Sequence, residues 1–304
     1  MRIGIIDIGT NTFHLLIADR ARNMKILHKE KVAVRLGKGG ISSNLIQPDA
    51  MDRAVATLTD FAQKMENEVV DEIIVSATSA VRNADNQNEF VDLVRDKVGL
   101  EIRVLSGEEE ATLIHQGVSE YIDFGEETGL IMDIGGGSIE FILANKDEVK
   151  WLKSYELGGQ RLIDQFHHTD PISVDEHLKL ETFLKENLQE VFMKCEEHQA
   201  SYLIGSSGSF DTLWDMHARL PGILPMLQPI LYLDYFEEIY KELMTKNREE
   251  RLAIPGMIPM RVDMIVSASV AIKVIMDACH FNQIKVSPFA LKEGLLYHGL
   301  PKRK

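Results

Sequence analysis

The chain has 304 residues, 45% of them hydrophobic and 26% charged, and a net charge of −14. That length allows two domains, the composition is that of a soluble globular protein, and the acidic balance argues against non-specific nucleic-acid binding. Two cysteines, Cys195 and Cys279, offer neither metal-ligand spacing nor a disulfide framework and fit a reducing cytoplasm. No secretory leader is expected ahead of the first strand, and no membrane span either, because the longest apolar stretch, Val262–Ala278, is broken by Asp263, Lys273 and Asp277.

In chain order, Arg2–Ile8 reads as a strand and Thr12–Asp19 as its return, around Asp7-Ile8-Gly9-Thr10-Asn11-Thr12. Met24–Val34 is a third strand ending in a glycine turn over 35–40. A helix follows at Pro48–Val69, with proline near its start. Strand Glu72–Ala77 ends in the small-residue turn Ala77–Ala80, which opens a helix over Ser79–Val98. Strand Leu100–Leu105 then leads to a helix opening at Ser106. The polar, glycine-flanked step Gly125–Gly129 marks a boundary, giving domains of residues 1–124 and 125–304.

The second series begins with strand Ile131–Ile134, the turn Gly135-Gly136-Gly137 and the return Phe141–Ala144. Strand Val149–Tyr155 ends in Glu156-Leu157-Gly158-Gly159. A helix at Val174–Glu197, strand Tyr202–Gly205 and turn Ser206–Ser209 follow. Beyond Leu213 come a loop over Pro221–Pro229, helix Asp234–Thr245, a turn-rich Ala253–Pro259, the buried helix Val262–Ala278, strand Gln283–Val286 and helix Ala290–Tyr297. The segment from about 290 to 304 is expected to pack back on the first domain, and Lys302-Arg303-Lys304 to be a solvated tail.

The two series match. Ile6–Phe13 aligns with Met132–Ile139 at a constant offset, and His14–Ala18 continues as Glu140–Ala144. The order β-β-β-α-β-α occurs twice, which argues for duplicated domains, each presenting an Asp-Gly hairpin to a shared cleft where a small ligand would bind. A triple-glycine turn alone reads equally well as an ordinary bend. The repeat favours a phosphate nest of backbone amides.

Ser106-Gly107-Glu108-Glu109-Glu110-Ala111 opens a helix, with Ser106 and Glu109 spaced as a capping box. Glu110 heads the less polar face shared with Ile114, Gly117 and Tyr121. It is either a solvated first-turn acid or a carboxylate aimed into the protein, where burial would suit a general base. Ser138 and Glu140 lie two apart on a strand and share a face. Thr12 and His14 hold the matching places, and His14 reads as a satisfied, partly buried histidine or as a phosphate contact. Arg82 is either a surface ion-pair partner or a forked phosphate ligand. Arg35, Lys38, Arg161 and Arg261 are weaker candidates, and His115, His167, His168 and His298 show no ligand-like spacing. The helix starts near Gly208 and Ser79 offer amides to phosphate.

Together these residues resemble a known family. Ile6–His14, Ala77–Ala84, Leu105–Ala111, Asp133–Glu140 and Ile204–Ser209, with Arg261-Val262-Asp263 and Leu291–Leu295 as a weaker sixth segment, are similar to the exopolyphosphatase and guanosine pentaphosphate phosphatase family (Ppx/GppA) of the actin-like ATPase superfamily. The resemblance implies an α/β fold of two ribonuclease-H-like (actin-like ATPase) domains facing a central cleft. It implies Mg²⁺-dependent hydrolysis of the terminal phosphate of polyphosphate or of guanosine pentaphosphate. Glu110 would be the base, Asp133 and Glu140 would hold metal and attacking water, and Asp7 would join them as a metal ligand. Gly9, Thr10, Asn11, Thr12, Arg82, Gly135, Gly136, Gly137, Ser138 and Gly208 would bind phosphate. A homodimer is expected from the family alone.

Ile139 replaces the usual threonine but should face away from the cleft, and Lys292 replaces a common arginine. The chain resembles the short form that lacks the helical domains of longer members, so polyphosphate chain length is left open. A non-catalytic sensor of guanosine penta- or tetraphosphate and a kinase of the wider superfamily are the competing readings. The carboxylates weigh against the sensor, and the Ser106–Ala111 segment against the kinase.

Overall fold

The structure, a computed structural model, describes residues 1–219 and 229–301. Apart from Pro229, the loop expected over 221–229 lies outside the described residues, as does the 302–304 end.

The chain forms two compact units, Met1–Gly117 joined by the chain from Leu291, and Val118–Ala290. The first contains β1 (Arg2–Ile8), β2 (Phe13–Asp19), β3 (Lys25–Val32), α1 (Pro48–Asn67), β4 (Glu72–Ala77), α2 (Ser79–Arg82), α3 (Gln87–Val98), β5 (Ile102–Val104) and α4 (Gly107–Ser119). Its strands lie in the order β3-β2-β1-β4-β5. β1 runs antiparallel to β2 and parallel to β4, and β5 is parallel to β4. The Ile3, Ile5, Ile6 and Ile8 side chains of β1 are buried, as expected of a central strand covered on both faces. α1 starts with Pro48 at its N-terminus and buries Ala50, Met51, Ala54, Leu58, Phe61 and Met65, one stripe of a 3.6-residue period, on that sheet.

The second unit contains β6 (Gly129–Ile134), β7 (Ile139–Ala144), β8 (Val149–Tyr155), α5 (Gly159–Phe166), α6 (Val174–Asn187), α7 (Gln189–Glu197), β9 (Tyr202–Ser206), α8 (Gly208–Ala218), β10 (Ile230–Tyr232), α9 (Leu233–Thr245), α10 (Arg248–Leu252), α11 (Met264–Ala278) and β11 (Gln283–Ser287). Its sheet order is β10-β11-β9-β6-β7-β8. Renumbered from β6, this is the order of the first sheet with β10 added at one edge, so the ribonuclease-H-like topology occurs twice. The last helix, α12 (Leu291–His298), packs on β1 and β2 of the first unit. The division between the units falls after Gly117, inside α4 and ahead of the step over 125–129.

Several elements differ from the sequence reading. The helix expected over Ser79–Val98 is two helices. Asn86 leaves the helical path because its side chain bonds both the N–H and the C=O of Ile46, each at 3.0 Å. The helix expected over Val174–Glu197 also breaks, at the fully buried Leu188 between α6 and α7. α5, β10 and the single-turn α10, capped by a reciprocal Asn247–Glu250 box, were not expected. Cys195 and Cys279 are free thiols, with Cys279 within hydrogen-bonding reach of the buried Cys195. Among the described residues no helix is long and apolar enough to cross a membrane.

Candidate functional site

In the first unit, β1, β4 and β5 are parallel neighbours that end together, with Ile8 beside Ala77 and Ala77 beside Val104. The segments that leave these carboxyl ends carry Gly9–Thr12, Arg82 and Glu110, the place where open α/β sheets bind ligands. Gly9 N–H closes its turn on the Thr12 carbonyl at 3.1 Å, and the Arg35 and Gly37 amides take the carbonyls of Asn11 and Thr10 at 2.8 and 2.9 Å. Thr12 Oγ1 lies 3.3 Å from His14 Nε2. At the head of α4 the capping box forms as expected, with Glu109 N–H on Ser106 Oγ and Ser106 N–H on Glu109 Oε2. Glu110 turns inward and is 6% exposed. Arg82 is an ion-pair partner, but a partly buried one rather than a surface one. It donates to Glu110 Oε2 at 2.7 Å and to the Leu105 carbonyl at 3.3 Å. α2 is a single turn, so the helix start at Ser79 brings little dipole.

In the second unit the matching turn repeats the first. Gly135 N–H bonds the Ser138 carbonyl at 3.0 Å. The other loop carbonyls are all taken from one side. Gly159, Gln160 and Gly158 amides donate to Gly135, Gly136 and Gly137 oxygens at 2.9, 2.8 and 3.1 Å, and Arg161 Nε adds a bond to Gly137 at 3.0 Å. The Gly136 and Gly137 amides have no hydrogen-bond acceptor among the described residues. Tying the carbonyls down leaves these two amides available, an arrangement suited to an anion nest. A side chain at Gly158 would stand 2.4 Å from the Gly137 backbone, so only glycine lets α5 approach the loop this closely.

Asp133 and Glu140 are register partners on β6 and β7 and are 7% and 1% exposed. Ser206 Oγ donates to Asp133, and Ser154 Oγ to Glu140 at 2.7 Å.

Gly208 begins α8 after Ser207, which sits at φ +68 and spends its hydroxyl on the Ile134 carbonyl at 2.9 Å rather than on capping α8. A non-glycine residue held at positive φ is the kind of local strain that gathers at functional sites. The Arg261 guanidinium packs on Gly208, where a Cβ would meet its Nη2 at 2.1 Å. Arg261 is 6% exposed, and its Nε has no partner among the described residues. Burial pushes its pKa down, and the carboxylates of Asp211 and Asp133 push it back up. A buried cation beside an uncapped helix N-terminus is chemically suited to an anion.

The sequence profile of the Ppx/GppA phosphatase family matches residues 16–303. The chain belongs to that family. It is 27% identical over 304 residues to exopolyphosphatase 1 of Mycobacterium tuberculosis, covering 99% of this chain and 88% of the relative. The crystal structure of an exopolyphosphatase from Cytophaga hutchinsonii superposes with a TM-score of 0.94 at 41% identity, covering 98% of this chain and 97% of the other. A Ppx/GppA protein of Aquifex aeolicus shares the fold, with a TM-score of 0.79 at 22% identity and coverage of 97% and 96%. As a Ppx/GppA member the protein is a phosphatase, a hydrolase.

The donor set suits the magnesium ion implied by the Ppx/GppA resemblance. Asp133 and Glu140 present only carboxylate oxygen, side by side, and Mg²⁺ is usually held by one or two carboxylates with phosphate and water completing its shell. No group of three or more His, Cys, Asp or Glu that could hold a metal ion occurs among the described residues. Asp7 lies in the first unit, where its register partners are His14 and Ser76. Lys292, in place of the common arginine, pairs with Glu293 at 2.9 Å. Sequence reasoning did not single out Ser154 and placed Arg261 among the weaker candidates, whereas the structure buries Arg261 against Gly208 and sets Ser154 on Glu140. The available signal for Arg261 was an arginine three residues ahead of the buried apolar helix α11.

Proposed function

We propose that this phosphatase is a cytoplasmic exopolyphosphatase that releases terminal orthophosphate from inorganic polyphosphate with Mg²⁺. The observation that carries the reading is the Gly135–Ser138 loop, whose Gly135, Gly136 and Gly137 carbonyls are bonded by the Gly158–Gln160 amides while the Gly136 and Gly137 amides have no acceptor among the described residues. The exopolyphosphatases of M. tuberculosis and C. hutchinsonii, similar over nearly the whole chain, support polyphosphate over a nucleotide.

In this reading the loop amides and the first turn of α8, with Arg261, grip the terminal phosphoryl oxygens. Such positioning and charge stabilisation supply most of the catalysis of phosphoryl transfer. Asp133 and Glu140 hold the metal, which when bound neutralises charge on the phosphoryl oxygens. Glu110 is the base of this reading by the Ppx/GppA resemblance, and Arg82 orients it through their 2.7 Å bond.

The test is phosphate release by the purified protein with Mg²⁺ from short polyphosphate, long polyphosphate and guanosine pentaphosphate. Faster release from polyphosphate supports the proposal. Release confined to guanosine pentaphosphate, or tight nucleotide binding without release, overturns it.

A further inference from the structure

One row of side chains crosses the second sheet. Strand register pairs Ser206 on β9 with Asp133 on β6, Asp133 with Glu140 on β7, and Glu140 with Ser154 on β8. Direct partners on neighbouring strands project to the same face, so the row reads Ser206–Asp133–Glu140–Ser154. Each carboxylate is held from outside by the hydroxyl next to it.

Ser206 belongs to the turn already assigned to phosphate, whereas Ser154 belongs to no motif. It stands on β8, the edge strand, where β-branched and aromatic residues pack better than serine. Its place is explained by its partner. Glu140 is 1% exposed, and a carboxylate buried that deeply needs donors. Glutamate also has three rotatable bonds, so a carboxylate intended for a metal needs an anchor to hold one direction.

We propose that Ser154 is a positioning residue for the reaction. Its hydroxyl occupies Glu140 Oε1 and fixes the orientation in which the carboxylate meets the metal and its water. This rests on the reading of Glu140 as a metal and water carboxylate.

The test compares wild type, Ser154→Ala and Ser154→Thr in the full chain. Mn²⁺ serves as a spectroscopic probe of metal binding without substrate, and phosphate release is measured separately. Residues that orient a metal ligand typically contribute 10–100-fold. Ser154→Ala should therefore bind Mn²⁺ about 10-fold more weakly and lose kcat by a similar factor, with KM for polyphosphate unchanged. Ser154→Thr, which keeps the hydroxyl and suits a strand, should restore both. Wild-type Mn²⁺ affinity and kcat in Ser154→Ala would overturn the proposal, as would a threonine variant as impaired as the alanine one. Failure of the underlying reading is distinct, because then the wild-type protein itself binds no Mn²⁺.

Discussion

Arg82 Nη1 donates to Glu110 Oε2 at 2.7 Å, and the two side chains are 14% and 8% exposed. Arg82 ends α2 and Glu110 lies in the first turn of α4, so one ion pair joins the segments that follow β4 and β5. Removing one member of such a pair takes from the other its charged partner, at a cost of up to about 3–5 kcal/mol where the pair is fully buried. Arg82→Ala should lower the unfolding free energy in urea by up to this amount. Adding Glu110→Ala should recover part of the loss. Strictly additive effects in that cycle would mean that the pair contributes nothing.

Glu110→Gln keeps an acceptor for Arg82 and removes the base. The circular dichroism spectrum should be unchanged while phosphate release falls by about 10²–10⁴-fold, the usual contribution of a general base. Near-wild-type release would remove Glu110 from the mechanism.

Gly208→Ala would place a Cβ 2.1 Å from Arg261 Nη2 and 2.4 Å from its Cζ. The guanidinium must then move off the start of α8. Loss of one charge-assisted bond to phosphate should raise KM for polyphosphate by about 10-fold, with little change in melting temperature. Steady-state kinetics on this variant would show an unchanged KM if Arg261 does not touch the substrate.

Glu176 predicts an acid-sensitive helix start. Burial acts to raise its pKa, but hydrogen bonds from Thr169, Ser173 and His168 outweigh it and bring the carboxyl down to about 2 from 4.5. A carboxyl lowered on folding stabilises the protein above its unfolded pKa. That contribution therefore fades as pH falls from about 4.5 towards 2. Glu176→Gln should melt below wild type at pH 6, with the gap closing as thermal scans are taken down through this range.

The two thiols should react unequally. The hydrogen bond with Cys279 and then burial push the Cys195 thiol up, and Cys195 is 4% exposed, whereas Cys279 is only partly buried. Because the thiolate is the nucleophile, iodoacetamide near neutral pH should label Cys279 first by peptide mass mapping. Equal labelling would contradict the packing around α7.

Both hairpins were legible in the sequence, because apolar runs flank glycines and the pattern recurs at a fixed offset. Asp133 and Glu140 followed from their places in that pattern. The break before α3 was not legible, since it depends on Asn86 reaching Ile46, a contact 40 residues away in sequence. Nor was the Arg82–Glu110 pair, which joins residues 28 apart whose strands become neighbours only in the sheet. Ser154 stayed hidden for the same reason. A serine in an alternating strand carries no mark of the glutamate opposite, and only the register discloses it.

The matching row in the first sheet is Ser76–Asp7–His14–Lys31, where the second has Ser206–Asp133–Glu140–Ser154. The Ser76/Ser206 and Asp7/Asp133 places are the same in both copies, and the two further out along the row have diverged, one towards a histidine and a lysine and the other towards an acid and its hydroxyl anchor. Strand pairing uses the main chain, so substitutions at these outer places leave the hairpin intact. Duplication thus supplied two identical frames with a few interchangeable positions, and specialisation of one half needed no change in the architecture of either.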